Sequence, residues 1–549
     1  MTRFLLYRWL ILTFWVMVGF IHAGFDPNLP VGTDLDRLLQ RIVARNGIEL
    51  PARWFIQPYS YRDIEPFIML ADSLKGEQML SPEERQLLLR AEERFGTGKA
   101  LFRYTGRNPA RDLHLKVNCQ LLGDVRPGWS DSLTVGVKGI LRPSIAGNLG
   151  DLSFYSGIGV WTEYRNDTLF SKSGYQPWEG VAHNLYGRDT ESSSARSSDL
   201  PFGGIRYTAG PIDLETAIDR LRSGPARFFP LTLSGEAPPI TYFRGMLDLD
   251  VISYSHVIGV LKVQKDKRKY LFTHRLSTDL WKRRIHLGIN EVIIYGNTTT
   301  EEPRSDTDLV ADAYIQDDRG LEWVYCIPFL PFKFVEHYAG DRDNAAVSID
   351  FMLCFPDRWN WYGEFFLDDM LAPWKLLSDD WGNKWGLTLG GSYFGRAAGR
   401  DLTVQAEYSR VEPWVYTHFS GGSHRYSHFN TGLGSPLGPN SQGAVVAVLM
   451  QLDRLHEAGI GLRHVAWNHT VRGGSITDVF QQPGIVDSSL YYDSKTKQYL
   501  GPGTEWYLQP VLYWNFNVFG RFELHAQAAV DLLDKRGRSS GAVYGGLFF

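Results

Sequence analysis

The chain of 549 residues is long enough for several soluble domains or for one large architecture with an accessory piece. Its formal net charge of −4 gives no basic footprint, which argues against a nucleic-acid partner. The three cysteines, Cys119, Cys326 and Cys354, form no C-x-x-C pattern and predict neither a disulfide framework nor a zinc site. Aromatic residues reach 14 %, a proportion that suits a protein with an amphipathic interface to satisfy.

The N-terminus has the layout of a secretory signal peptide over residues 1–23. Arg3 and Arg8 precede an apolar run at 9–21, and the small residue Ala23 offers a cleavage site. A single N-terminal anchor helix is the alternative, although the run is short for a span of about 20 residues. No later window of about 18 uninterrupted apolar residues is present. The mature protein therefore either leaves the membrane or crosses it as strands.

Residues 24–98 are predicted to form a small periplasmic bundle of helices. The stretch TDLDRLLQRIVARNG places its apolar residues on one helical face. The stretch SPEERQLLLRAEERFG has Ser81 as N-cap, a capping box closed by Glu84, and an end at Gly96. A weaker helix lies between them, because Pro66 removes a hydrogen-bond donor inside it. A bundle of this size is small for a free domain, so we expect it to pack against the C-terminal part of the chain.

From residue 99 to residue 549 the apolar period switches to two, the period of a β-strand. In RFELHAQAAVDLL, for example, apolar residues alternate with polar ones and give one apolar and one polar face. A soluble sandwich alternates as well, but here the pattern persists without a convincing helix to cover a sheet. At about 10 residues a strand, the region accommodates roughly 16 to 20 strands. The sequence therefore predicts a closed all-β transmembrane barrel, which exposes no strand edges, over a multi-domain secreted β-protein.

The C-terminal stretch SGAVYGGLFF fits the closing strand of such a barrel. Phe549 is a residue type that commonly ends the closing strand, and Phe548 and Phe549 are expected at the periplasmic aromatic girdle. Gly545 fits less well, because closing strands usually carry a larger apolar residue at that position. A last strand tucked into a soluble sandwich is the alternative interpretation.

Four stretches between about residues 200 and 445 resemble segments of the Wzi family of capsule-assembly proteins from Gram-negative outer membranes. They are RLRSGPARFFPLTLSGEAPPITYF, THRLSTDLWKRRIHLGINEVIIYG with Glu291, WYGEFFLDDM with Glu364, and YSHFNTGLGSPLGPNSQ. The resemblance implies a barrel of about 18 strands with a periplasmic helical bundle at its inner mouth. It also implies a role in holding capsular or related exopolysaccharide at the cell surface.

The motifs that carry enzyme chemistry do not appear in the structural context that they require. The G-x-S-x-G pattern at 537–541 runs into the predicted closing strand and does not lie between a strand and a helix, and the H-x-x-x-H spacing of His424 and His428 falls in a glycine-punctuated loop and not on a helix. The acidic stretch SDTDLVADAY lacks the glycine and the distal glutamate of a calcium hand. Asp368 and Asp369 are consecutive strand residues that point to opposite faces, and Glu364 is expected to face the lumen and pair there with Arg or Lys. We therefore predict a protein without catalytic, metal or cofactor sites.

The stretch VEPWVYTHFSGGSHRYSHFN offers the strongest candidates for ligand binding. Sugars combine apolar C–H faces with dense hydroxyl groups, so their binding surfaces pair aromatic platforms with polar side chains. Trp414, Tyr416, Tyr426 and His428 supply both in one glycine-punctuated loop and are the predicted polysaccharide contacts. A lipid-interface girdle would use the same Trp and Tyr residues, so that alternative stays open.

The sequence thus predicts an outer-membrane barrel of a Gram-negative bacterium that binds and anchors surface polysaccharide without enzymatic activity. Its expected partners are capsular or exopolysaccharide, outer-membrane lipid and the barrel-assembly machinery. A porin or a polysaccharide export channel is the alternative, and it would need an open lumen. An outer-membrane hydrolase is a third hypothesis, for which the sequence offers no triad.

Overall fold

The computed structural model describes residues 28–29, 34–46, 53–73, 76, 79–96, 101–106, 113–129, 132–171, 184–185, 192–263, 268–296, 320–339, 343–355, 358–418, 421–429, 431–479, 494–533 and 538–548. The predicted signal peptide, the acidic stretch 305–314 and Phe549 lie outside these ranges.

Within the described residues, 18 antiparallel strands form one closed ring in chain order. They are β1 Leu113–Trp129, β2 Leu133–Leu149, β3 Leu152–Arg165, β4 Ala195–Ala209, β5 Ile212–Asp219, β6 Ile240–Asp248, β7 Ile252–Lys262, β8 Arg268–Leu280, β9 Ile285–Gly296, β10 Asn344–Phe355, β11 Trp359–Asp369, β12 Lys384–Ala397, β13 Arg400–Val411, β14 Ser441–Gln451, β15 His456–Trp467, β16 Glu505–Phe516, β17 Phe522–Val530 and β18 Ser539–Phe548.

The wall of the ring is polar inside and apolar outside. On β8, Leu276 and Leu280 are 47 % and 46 % exposed, while Lys269 and Arg275, which have the opposite parity, are buried in the interior. Ile349 on β10 is likewise exposed on the outer face. A barrel in a membrane turns such side chains to lipid, so the predicted all-β transmembrane barrel is confirmed.

No helix in the described part of the chain is long and apolar enough to cross a membrane.

The ring closes where β18 pairs with β1. The register places Tyr544 opposite Asp124, Gly545 opposite Gly123, and Phe548 opposite Gln120. The first residues of β1 have a different partner on the same edge, because the short strand Phe102–Thr105 pairs with His114 to Val117. The edge of β1 is therefore shared between the last strand of the barrel and the segment that follows the helices.

The two ends of the barrel differ in the length of their connections. At one end all connections are short, and the longest of them is 517–521. At the other end several are long, including 166–194, 297–343, 412–440 and 468–504. We call these the short-turn end and the long-loop end.

Three helices precede the barrel: α1 Asp34–Asn46, α2 Tyr61–Asp72 and α3 Pro82–Phe95. The predicted capping box of α3 is present, since the side chain of Ser81 accepts from the Glu84 N–H and Glu84 accepts from the Ser81 N–H. The helix ends at Gly96, as expected, and Pro66 lies inside α2. The helices bury their apolar faces against one another, against Tyr362 of the wall and against Phe519 of a short turn. The bundle is therefore packed into the barrel.

Gly545 offers a direct test of how tightly the closing strand packs. A Cβ at this position would lie 2.3 Å from the Glu523 carbonyl oxygen, whereas a Cβ on its cross-strand partner Gly123 would meet nothing within 4 Å. We expect Gly545→Ala to lower the temperature at which the compact barrel band is lost on SDS gels, and Gly123→Ala to leave it unchanged. Equal melting of the two variants would contradict this account.

Candidate functional site

The helical bundle fills the lumen at the short-turn end through charged contacts with strands on several sides. Arg37 pairs with Glu457 of β15 at 2.6 Å, and Arg45 pairs with Asp401 of β13 at 2.9 Å. The ring of contacts continues with Arg94 to Glu523 of β17 at 2.5 Å and Arg53 to Asp213 of β5 at 2.9 Å. The pairs of Arg37 and Arg45 hold the bundle in one orientation most firmly, because Glu457 and Asp401 are buried and would be left there without a partner.

The loop that joins β5 to β6 turns into the lumen, and we call residues 220–239 the inward loop. Ala226 and Leu231 in this loop are completely buried. A small sheet inside the barrel joins it to the segment between α1 and α2, because Ile56 and Gln57 pair with Ser223 and Arg222. Bundle and inward loop therefore meet inside the barrel and form one body across the lumen.

Two wall carboxylates hold the irregular backbone of the inward loop. Glu407 accepts the N–H groups of Arg227, Phe228 and Phe229 at 2.7, 3.0 and 2.6 Å. Glu364 accepts that of Ala226 at 3.1 Å and that of Leu231 at 2.7 Å. A carboxylate suits this role, since its two oxygens together accept several donors.

The structure corrects the partner expected for Glu364. The side chain does face the lumen, but it accepts backbone N–H groups instead of pairing with Arg or Lys. Asp368 and Asp369 point to opposite faces, as expected. Asp368 is buried and accepts from the Tyr416 N–H at 2.7 Å, whereas the side chain of Asp369 is 49 % exposed near Lys384.

The four residues predicted to contact polysaccharide are all buried. Tyr416 and Tyr426 lie together, with ring centroids 5.2 Å apart, and their hydroxyls donate to the carbonyls of Leu231 and Thr232 in the inward loop. Trp414 is 2 % exposed. His428 accepts the Lys262 N–H at 3.1 Å, and burial lowers the pKa of its imidazole to about 3.

These positions show what the aromatic loop does in the fold. Tyr416 and Tyr426 reinforce the inward loop from the long-loop side, and neither ring offers a free face on which a sugar could stack. A role for the four residues in polysaccharide contact remains a prediction.

A polar cavity of about 380 Å³ opens at the long-loop end, on the inner face of β1 to β4. We call it the rim cavity. Its lining is mostly charged and consists of Asp124, Arg126, Thr134, Gly136, Val137, Lys138, Glu163, Arg165, Asp167 and Arg196. Its volume lies in the range of small-molecule binding sites.

Charged pairs hold the rim cavity in shape while leaving donors and acceptors accessible. Arg126 contacts Asp124 at 2.7 Å with the arginine side chain 74 % exposed, and Arg165 contacts Asp167 at 3.0 Å. The hydrogen bonds from Arg165 hold the pKa of the Asp167 carboxyl below its usual value. The exposed guanidinium of Arg126 and the partly exposed side chains of Arg165 and Asp167 are therefore available to hydroxyl-rich ligands.

Trp161 lies on the same face of β3 as Glu163 of the rim cavity, two residues away from it. The Lys138 ammonium lies 4.2 Å from the centroid of its ring, and the Arg196 guanidinium lies 5.2 Å from it. Arg196 also pairs with Glu163. The indole thus orients two cations of the cavity by cation–π contact.

The length and the polar pattern of β1 and β2 in the sequence are the features that could have indicated this cavity. β1 and β2 are each 17 residues long, more than the roughly 10 needed to cross a membrane. Near the long-loop end, polar and charged residues occupy the inward positions of both strands, such as Asp124 and Arg126 on β1 and Thr134 and Lys138 on β2. Long strands with an alternating charged face indicate a wall that rises above the membrane around a polar vestibule.

A second cavity of about 290 Å³ lies on the same wall at the short-turn end and is lined in part by Arg94, Asn118, Gln120 and Phe548. On β1, Leu122 is the only inward position between Gln120 of this cavity and Asp124 of the rim cavity, and it pairs in register with Ile140. Among the described residues, these two apolar side chains therefore separate the two cavities along β1 and β2.

Within the described residues, no three His, Cys, Asp or Glu side chains converge in a way that could hold a metal ion.

Glu407→Ala tests the anchoring of the inward loop. The substitution leaves three N–H groups in the lumen without an acceptor, at a cost of about 1–3 kcal/mol for each group that stays buried. We expect proteases to cleave between residues 220 and 239 in this variant while the heat-modifiable barrel persists. Glu236→Ala, an exposed change in the same loop, should leave cleavage at the native level, and equal cleavage of both variants would contradict the anchoring role.

No family model matches the sequence, and no curated protein matches it significantly. Among solved structures, the chain is similar to Wzi of Escherichia coli, described as an outer membrane protein involved in group 1 capsule assembly and as a carbohydrate-binding β-barrel. The identity is 12 %, the TM-score is 0.54, and the similarity covers 95 % of this chain and 99 % of Wzi.

Two porin-like barrels show lower similarity. OpdK from Pseudomonas aeruginosa has 9 % identity and a TM-score of 0.42, over 79 % of this chain and 98 % of OpdK. A BenF-like porin from Pseudomonas fluorescens Pf-5 has 7 % identity and a TM-score of 0.42, over 79 % of this chain and 98 % of the porin. The resemblance to Wzi drawn from the sequence motifs is therefore confirmed as a likeness of fold over nearly the whole chain.

Proposed function

We propose that this chain is an outer-membrane β-barrel of a Gram-negative bacterium that binds capsular or related exopolysaccharide and anchors it at the cell surface. The observation that carries the proposal is the rim cavity, a polar and cation-rich vestibule at the long-loop end. The description of Wzi as a carbohydrate-binding barrel of capsule assembly supports it. Assembly through the barrel-assembly machinery and a non-enzymatic role belong to the same proposal.

The orientation of the barrel is set by its connections. Outer-membrane barrels have short periplasmic turns and longer extracellular loops. This rule supports a short-turn end in the periplasm, together with the helical bundle, and a long-loop end outside the cell. This orientation brings the rim cavity to the surface where a capsule would lie.

The chemistry of the rim cavity suits a polymer of sugars. Each sugar unit presents several hydroxyl groups that donate and accept, and Arg126, Lys138 and Arg165 provide donors beside the acceptors Glu163 and Asp167. Single contacts of this kind are weak, yet a polymer that repeats them across many barrels is retained strongly. Anchoring therefore does not need a deep or tight site.

The filled lumen favours anchoring over diffusion. The bundle reaches β5, β13, β15 and β17 through ion pairs, and the inward loop crosses above it. Export remains the second candidate, favoured by one observation, namely that the two cavities lie on the same wall at opposite ends.

Removing three cations from the rim cavity tests the anchoring function. We expect Arg126→Ala, Lys138→Ala and Arg165→Ala together to move most cell-bound glycan into the medium without changing total synthesis, because three contacts of about 1 kcal/mol each are lost per barrel. The measurement is the ratio of cell-bound to released glycan.

A matched triple change at the short-turn end, Lys282→Ala, Arg283→Ala and Arg284→Ala, removes the same charge and should leave glycan bound. Replacing Trp414, Tyr416 and Tyr426 by Ala tests the aromatic loop in the same assay. Release by the aromatic variant alone, with the inward loop still resistant to protease, would assign the site to that loop and overturn the rim cavity.

Single-channel recording separates anchoring from export. The intact protein should show little conductance in a planar bilayer, whereas a variant lacking residues 34–96 should conduct, because the short-turn end then loses the bundle. Heat modifiability on SDS gels confirms that the shortened chain still forms a barrel. Large conductance of the intact protein would favour the channel hypothesis instead.

A further inference from the structure

One segment of the longest loop, residues 320–339, packs on the outer face of the barrel. We call it the outer-wall segment; it contains a short 3₁₀ helix, Trp323–Cys326, and the helix α4 Phe332–Ala339. The parity of the strands shows which face it covers. Phe272 and His274 share parity with the exposed Leu276 on β8, and Ile293 and Tyr295 share parity with the exposed Ile289 on β9.

The contact is a packed apolar cluster on the side of the wall that normally faces lipid. Phe272, Ile293 and Tyr295 are completely buried there, together with Tyr325 and Phe332 of the segment. The ring of Phe332 stacks on His274 at 4.2 Å, and that of Phe329 stacks on Tyr254 at 4.1 Å.

The segment runs down much of the wall. It is fixed near the long-loop end by Tyr295, whose hydroxyl donates to the Gly320 carbonyl and accepts the Glu322 N–H. It then reaches Tyr254, the third residue of β7 counted from the short-turn end, whose hydroxyl accepts the Phe329 N–H at 2.8 Å. Helix α4 follows this contact, which is the nearer of the two to the short-turn end, and precedes β10 in the chain.

A row of polar side chains crosses the outer wall beneath the segment. His256, His274 and Glu291 are neighbours in the strand register, and Tyr254 lies beside them. Glu291 accepts from Phe332, the first residue of α4, at 2.8 Å and contacts His274 at 2.7 Å. Polar groups on a lipid-facing wall are costly unless protein covers them, and irregular backbone at membrane depth is tolerated only where it is buried in protein. The segment covers the polar row of the wall, and the row in turn accepts two backbone N–H groups of the segment.

The surface of the segment that faces away from the wall is strongly apolar. Trp323, Phe329, Phe334 and Tyr338 are 76 %, 62 %, 74 % and 87 % exposed. The patch continues onto the lipid-facing wall below it, where Leu276, Ile289 and Ile349 are also exposed. This continuity identifies the occupant, since the same medium that covers the wall must cover the segment beside it.

We propose that the outer-wall segment is embedded in the membrane, with its aromatic surface against lipid acyl chains and with two of its backbone N–H groups accepted by Tyr254 and Glu291 of the polar row. The barrel then contacts lipid through a folded-back loop at β7 to β10, and through bare strands around positions such as Leu121 and Leu389. The inference needs the barrel to sit in a bilayer, as proposed above, but it does not depend on carbohydrate binding.

Site-specific fluorescence tests the depth of the segment. In a background in which Cys119, Cys326 and Cys354 are replaced by Ala, single cysteines at Phe334 and Tyr338 carry an environment-sensitive fluorophore. Ile349→Cys serves as the lipid-facing control and Asp250→Cys, in a short turn, as the water-facing control. The probes are phosphatidylcholine nanodiscs with acyl-chain spin labels and, separately, iodide in the buffer.

We expect the labels at Phe334 and Tyr338 to behave like the label at Ile349, with at least a twofold loss of fluorescence from spin-labelled lipid and little from iodide. Quenching by iodide at Phe334 and Tyr338, with Ile349 still quenched by lipid, would place the segment in water and overturn the proposal. Protection from both quenchers would show that a second protein copy covers the patch, which also overturns it. Quenching of the label at Ile349 by iodide would show that the outer wall faces water. That result would contradict the transmembrane barrel and, with it, the embedded segment.

Discussion

The structure depends on one constraint: backbone N–H groups that leave the strand ladder inside a membrane barrel must still find acceptors. The wall of an 18-stranded ring satisfies its own backbone, but a loop that folds into the lumen brings donors with it. Glu407 and Glu364 answer this requirement by accepting five N–H groups of the inward loop between them. On the outer wall, Glu291 and Tyr254 accept from Phe332 and Phe329 in the same way.

This constraint gives the acidic side chains of the wall a structural meaning. A glutamate on a strand of alternating polarity invites an interpretation as a catalytic acid or as half of a salt bridge. Some acidic side chains of this wall do form ion pairs, either with the helical bundle, as in Arg37–Glu457, or with another strand, as in Arg275–Asp350. Glu407 instead holds backbone N–H groups. The distinction matters for function, because it leaves the charged groups at the rim, and not those in the centre, available to a ligand.

Local patterns were sufficient to predict the elements of the fold. The period-two alternation predicted the strands, and the Ser81–Glu84 capping box predicted α3 to its last residue before Gly96. Both signals are local, since strand polarity and helix caps are set within a few residues. The inward loop and the outer-wall segment escaped prediction because their positions are set by partners far away in sequence, such as Phe229 and Glu407, 178 residues apart.

The candidate site shows the same limit in a sharper form. Aromatic residues stack on sugars, anchor at lipid interfaces and pack interiors, and composition does not separate the three uses. Tyr416 and Tyr426 turned out to pack an interior, while Trp323 and Phe334 lie exposed on the outer wall. Arg126 and Lys138 could not be predicted as site residues from the sequence, because single charges on a strand are common. The register of three neighbouring strands brings them together with Arg165.

The shared edge of β1 bears on how the barrel sets its own size. Hydrogen-bond shear fixes the tilt and diameter of a barrel, and a strand of alternating pattern can slide along its neighbour in steps of two residues. The short strand Phe102–Thr105 occupies the edge from His114 to Val117, so β18 meets a stop just beyond Gln120. The same stretch of chain leads directly from the helical bundle. The chain that leaves the helical bundle thus lies beside the seam and limits how far β18 can pair along β1.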